Sequence, residues 1–177
     1  MRQLWEVADF VRNLRRQMRF GEFSRAPLRL LRMEVREDLA ECDWMARPPD
    51  EWDESFRRSE RDRNESLQAL ADAITVRNML FDALPNVVSA VLRGFRQPAR
   101  EPPELIVLGM VSREAPAVHR VSSLAMRAKL YGFCFCVEDG YLRPLQQIED
   151  QGYEIIGQSG TLAGQGGISN GSKQAAR

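Results

Sequence analysis

The sequence is expected to form an α+β domain: a mainly antiparallel sheet of five or six strands, with helices on one face. Three observations predict it. A helix followed by a strand hairpin is written twice within residues 1–145, and a third helix and strand follow, giving the order α-β-β-α-β-β-α-β. Apolar residues in the longer segments recur at three- and four-residue spacing, whereas those in the shorter segments alternate. Proline, glycine or Asp-Gly punctuation falls between them.

The first helix is expected over 2–19, where Leu4, Val7, Val11, Leu14 and Met18 form one apolar stripe and Gly21 follows as a stop. Residues 28–36 alternate Leu31, Met33 and Val35 with Arg32, Glu34 and Arg36, the period of a half-buried strand. Their partner is 40–47, with Cys42, Trp44 and Ala46 on one face and Glu37-Asp38-Leu39 as the turn. Pro48-Pro49 closes this hairpin, because successive prolines remove ladder donors. Residues 55–65 carry seven charges and read as a solvated helical extension held by pairs such as Glu60 with Arg63. Leu67, Leu70, Ile74, Phe81 and Leu84 then give the second helix a buried stripe that ends at Pro85.

A second hairpin is expected from 87–96 and 104–113, joined by the loop 97–103. The run 105–111 is apolar on both parities apart from Gly109, which predicts a central strand covered on both faces. A third helix over 116–131 has proline near its start and Gly132 at its end. Residues 133–138 read as the fifth strand, Asp139-Gly140 as a turn, and 141–145 as a short edge strand limited by Pro144. One domain is therefore expected over 1–145, followed by a tail, 146–177, that is disordered from about 157. Residues 157–177 hold six glycines and no aromatic residue.

The stretch 67–142, with Val107-Leu108-Gly109-Met110-Val111-Ser112-Arg113-Glu114 before its last helix, resembles the α-β-β-α-β pattern of BON domains. The resemblance covers less than half of the chain and serves as a fold-level analogy. It implies a small module associated with envelopes and lipid surfaces.

Composition narrows the function classes. The 25 Lys+Arg balance 25 Asp+Glu, so the bulk field draws in no polyanion, and affinity for nucleic acid must come from a local patch. All the basic residues but Lys129 and Lys173 are arginine, whose planar fork suits carboxylate or phosphate. Residues 1–33 carry a net +5 and residues 34–65 a net −6, blocks that can neutralise each other within one molecule or between copies. Glu6, Asp9, Arg12, Arg15 and Arg16 interrupt residues 1–20, which leaves no signal-peptide core, and no apolar run reaches membrane-span length. Three cysteines suggest no disulfide framework, and the expected location is the cytoplasm.

The residues suited to chemistry are few. Cys134 and Cys136 share a strand face about 7 Å apart by the strand rise, too far for an ordinary disulfide. With Cys42 and His119 they complete a Cys3His set that lacks the paired spacing of a structural zinc site, so the cysteines read as small core residues and no metal is assigned. His119 is the single histidine, and neither Glu114 nor Asp139 stands at a diagnostic spacing to orient it as a base. No serine lies in a nucleophile elbow, and Gly164-Gln165-Gly166-Gly167 follows no strand that would make it a phosphate cradle. Asp50-Glu51-Trp52-Asp53-Glu54 reads as an acidic connector. No catalytic residue and no cofactor is assigned.

Two features suit binding. Arg12, Arg15, Arg16 and Arg19, with Arg25 and Arg29 nearby, give the first helix a basic face. Trp44 and Trp52 bracket a proline turn that either presents a protein-contact surface or folds over the hairpin to close the core. The expected function is therefore a non-catalytic protein-interaction or self-association module. Two other classes remain open: binding of nucleic acid or an anionic surface by the same arginines, and a small-ligand protein or enzyme with a pocket between sheet and helices.

Overall fold

The computed structural model of the chain describes residues 2–48, 55–114, 118 and 120–145. Trp52, His119, the acidic connector, the expected start of the third helix and the tail lie outside them. The described residues fall within the compact unit Met1–Gln146.

Helix α1 spans Arg2–Gln17. Phe10, Leu14 and Met18 are buried and Val7 and Val11 pack against the core, so the expected stripe is present but shifted. Leu4, expected inside, is 73% exposed. Strands β1 (Arg29–Arg36) and β2 (Leu39–Met45) form the first hairpin. Arg36 pairs with Leu39, so the loop is only Glu37 and Asp38, and Glu37 takes a positive φ of 51°. Helix α2, Arg58–Ala83, starts with the Glu60 carboxylate accepting from the Arg57 backbone N–H at 3.3 Å. In the charged first turns the exposed pair is Arg58 with Asp62.

Strands β3 (Ser89–Arg96) and β4 (Glu104–Ser112) form the second hairpin. Helix α3 is shorter than expected, Leu124–Leu130, because Ser123 caps it by accepting from the Met126 N–H. Gly132 ends that turn at φ 96°, and a Cβ there would lie 2.8 Å from the Met110 carbonyl oxygen. The expected fifth strand is divided into β5 (Phe133–Cys134) and β6 (Cys136–Glu138). Strand β7, Tyr141–Arg143, pairs with β6 in a separate two-stranded sheet.

The main sheet has the order β1-β2-β3-β4-β5 and is mixed. This corrects the mainly antiparallel expectation: β2 and β3 run parallel, from Leu39 opposite Ser89 to Met45 opposite Phe95. The helical crossover α2 returns the chain to the end from which β2 began, so an adjacent next strand must run parallel to it. The other ladders are antiparallel. One face carries Ala40, Cys42, Trp44, Ala90, Leu92, Val107 and Val111 into a single core with Leu70, Ile74, Val76 and Leu80 of α2. Burial pushes the Cys42 thiol up to about 12, so it is an inert core residue.

The opposite face holds Glu41, Asp43 and Arg93, with Arg93 donating to Glu41 at 2.6 Å and to Asp43 at 3.3 Å. Strand β4 is central, as expected, but covered on both sides only in part: consecutive Ile106 and Val107 are buried, whereas Met110 is 65% exposed. An apolar run does not reveal how far a second layer extends.

Arginines fasten the elements. Arg47 is buried, and its Nε and Nη2 donate to Asp72 at 2.8 and 3.1 Å while Nη1 donates to the carbonyls of Met18 and Ala26. Gln68 donates to Asp72 at 2.8 Å and accepts from the Phe23 N–H, which binds the α1–β1 loop to α2. Burial pushes the Asp72 carboxyl up, against the Arg47 and Gln68 bonds that favour its charged form. Arg113 donates to the carbonyls of Phe81, Leu84 and Val87, satisfying acceptors at the end of α2.

Candidate functional site

Two places combine accessible surface with groups able to bind, and the outer face of α1 is the first. Trp5, Arg12, Arg16 and Arg19 follow one another at seven, four and three residues, so they lie along one stripe, and all are exposed. Trp5 is 68% exposed and Phe20 64%. Arg19 sits over the Phe20 ring at 5.4 Å, and Arg12 pairs with Asp9 at 3.1 Å on the surface. Among the described residues, Arg15 and Arg16 have neither an ion pair nor a side-chain hydrogen bond. Both lie in the last turn, where the helix dipole favours positive charge.

Four acids of the block 34–65 pair with arginines outside α1. Glu34 pairs with Arg32 and Arg36, Glu41 with Arg32 and Arg93, and Asp43 with Arg93. Asp62 is 3.9 Å from Arg58. The two charge blocks thus neutralise each other in part through Arg32, which pairs with Glu34 and Glu41, rather than through the helix arginines.

The other sequence-derived residues are scattered. Trp44 is 0% exposed, with its indole over Gly94 in the core, so it offers no contact surface in the folded chain. Of its two readings, the core takes it; Trp52 lies outside the described residues. Arg25 and Arg29 are exposed on the loop before β1 and at its start. Cys42 is buried whereas Cys134 and Cys136 are exposed, and no cluster of potential metal ligands occurs among the described residues.

The second place is a cavity of about 780 Å³. It opens where β2 and β3 end, bounded by the loop before β1, the start of β4, the first half of α2 and β7. Leu28, Met45 and Ala46 contribute apolar walls, Pro27 and Pro98 stiff ones, and Glu65, Arg96, Glu104 and Tyr141 the polar groups. Arg96 is committed: it donates to Glu104 at 2.8 Å and to the Leu142 carbonyl at 2.9 Å, and lies 4.3 Å over the Tyr141 ring. Glu65 and the Tyr141 hydroxyl make no hydrogen bond among the described residues. Burial pushes the Glu65 carboxyl up, opposed by Arg96 and reinforced by Asp62 and Glu104. Burial likewise raises Tyr141, and the negative charge of Glu65 adds to it.

Sequence reasoning missed Trp5 and Phe20. Trp5 was discoverable, because it shares the wheel position of Arg12 and Arg16 rather than that of the apolar stripe. The cavity had no such signal, since Glu65 and Tyr141 meet only through the packing of β7 on α2. There Ser66 Oγ accepts from the Leu142 N–H at 2.9 Å.

The fold and these two sites define a class: an α+β domain with a mixed sheet, a basic and aromatic helix face, and a cavity at the strand ends. The stretch resembling BON domains does carry the order α2-β3-β4-α3-β5. No family model, no curated protein and no solved structure matches the chain. No helix among the described residues is long and apolar enough to cross a membrane.

Proposed function

We propose that the chain is a non-catalytic association module whose outer α1 face docks on an acidic protein surface, a second copy of the chain included. One observation carries this reading. Arg12, Arg15, Arg16 and Arg19 are exposed beside exposed Trp5 and Phe20, while Glu34, Glu41, Asp43 and Asp62 pair with arginines outside α1. Arginine and tryptophan are enriched at interface hot spots, where the aromatic supplies apolar area and the cation supplies steering. Phosphate or lipid headgroups would engage the same arginines, so an anionic polymer or surface is the alternative reading.

The test is light-scattering mass on a sizing column with absorbance at 260 and 280 nm, at near-physiological and then high salt. A protein-only mass above the 20.2 kDa of the chain, reduced by Trp5→Ala and by Arg15→Ala/Arg16→Ala, supports self-association through this face. Co-eluting 260 nm absorbance that salt strips away supports the anionic alternative instead, since counterion release makes such binding steeply salt-dependent. A monomer that retains no nucleic acid and binds neither acidic proteins nor anionic vesicles overturns both.

A further inference from the structure

We propose that strand β1 is the contact edge of a twofold dimer, in which it pairs antiparallel with β1 of a second copy about Met33 and continues the sheet across the axis. This edge is a different surface from the α1 face, and its role does not depend on that face being an interface.

The main sheet begins at β1, which pairs with β2 on one side and, among the described residues, with no strand on the other. The ladder shows which of its residues look outward, because successive residues of a strand turn their N–H and C=O to alternate sides. At both ends of β2 it is an even-numbered residue that bonds β3 or the chain just before it. The Asp38 carbonyl accepts from Val88 and Ser89, and the Ala46 N–H donates to the Phe95 carbonyl. Leu39, Glu41 and Asp43 therefore face β1, where their partners are Arg36, Glu34 and Arg32. Met33 and Val35 are left with N–H and C=O directed away from the sheet, a template for another strand.

Charge selects the occupant and the register. Glu34 pairs with Arg32 and Arg36 within the strand, so this edge alternates in sign. An edge guarded by a single sign repels its own copy, whereas an alternating one is neutralised by its image when the register is right. A twofold axis at Arg32 or at Glu34 sets that residue opposite its own counterpart, like charge against like. An axis at Val35 runs Met33 against Glu37, in the turn at φ 51°, and so confines the ladder to Glu34, Val35 and Arg36. An axis at Met33 places Arg32 opposite Glu34 twice and lets the two Met33 residues exchange both backbone hydrogen bonds. It also brings Val35 opposite Leu31, which is 46% exposed in the bulge between Leu30 and Arg32. Charge, backbone and apolar contact agree in that register. Closed twofold pairing is also the commonest symmetry of self-association.

The test uses the full chain. Its light-scattering mass is expected to reach twice 20.2 kDa as concentration rises. Glu34→Arg sets positive charges opposite each other on both sides of the axis and should raise the dissociation constant at least about tenfold. Arg32→Glu should do the same with negative charges. Mixing the two single variants should restore a dimer, since each then meets its opposite, and Arg32→Glu/Glu34→Arg should restore it within one chain. Hydrogen exchange should show the Met33 amide protected in the dimer and exposed in monomeric Glu34→Arg, with the Arg32 and Glu34 amides, which face β2, protected in both. A monomer at every concentration, a dimer indifferent to Glu34→Arg, no restoration on mixing, or a fast Met33 amide in the dimer overturns the proposal. A dimer lost to Trp5→Ala yet indifferent to Glu34→Arg would overturn it while leaving the α1 interface standing. If Arg32→Glu fails to fold beside Glu41 and Asp43, Glu34→Arg and the Met33 amide still decide.

Discussion

The arginines of α1 and the arginines of the interior share a side chain but differ in what is left over for a partner. Arg47 and Arg113 each spend their guanidinium on three or four acceptors inside the fold. Arg77 is buried too, donating to the carbonyls of Ser112 and Arg113 and lying 4.5 Å over the Tyr131 ring, and burial lowers its pKa. Arg15 and Arg16 hold nothing among the described residues. Arginine enrichment is thus two features: a set of fasteners that close loops and helix ends, and a free set available for recognition. Composition counts them together, and only burial separates them.

Substitution should separate the two sets by size of effect. Arg47→Ala is expected to cost the most, about 3–5 kcal/mol by urea unfolding, because it strands the Asp72 carboxylate in the core and frees two carbonyls. The deficit should narrow in acid. Burial already raises Asp72, and without Arg47 it rises further, so protonation removes the uncompensated charge. A deficit that does not change with pH would show that Asp72 contributes none of it. Arg113→Ala should cost less, about 1–3 kcal/mol, since it exposes neutral carbonyls at the end of α2 rather than a charge. Hydrogen exchange should locate that loss in the last turns of α2.

Glu65→Gln should act in the opposite direction. Because burial raises its folded value above the ordinary 4.5, the contribution of Glu65 to stability is fully present below that pH and is lost as pH rises through the folded value. The variant should therefore melt with the unaltered chain in acid and above it at neutral pH. Coincident melting curves at all pH values would show that Glu65 is better solvated than its surroundings indicate. The smallest effect on stability belongs to Arg15→Ala/Arg16→Ala, within about 0.5 kcal/mol, although this variant should weaken association and flatten its salt dependence. A large loss of stability there would erase the distinction between fasteners and free arginines.

The α1 face was half legible. Helical periodicity put Arg12, Arg15, Arg16 and Arg19 off the buried stripe, and they are exposed. The same periodicity would have placed Trp5 with them, but an aromatic residue is easily assigned to the core by type. Trp44 shows the converse: its position in an alternating strand and its place beside the proline turn allowed two readings, and packing over Gly94 selected one. Asp72 was a readable anomaly, an acid between Leu70 and Ile74 on a buried stripe, yet nothing local named Arg47 as its partner.

Periodicity by itself determined the three helices, the two hairpins and their order, because side-chain spacing of 3.6 or 2 is a local property of the backbone. It also determined that the strand after Asp139-Gly140, limited by Pro144, would be short. Only the tertiary structure decided that β2 lies next to β3 and runs parallel to it, that β6 leaves the main sheet for β7, and that Glu65, Arg96 and Tyr141 meet around one cavity. Strand neighbours and cavity walls are set by which distant surfaces exclude water together, a sum over residues tens of positions apart that no local spacing records.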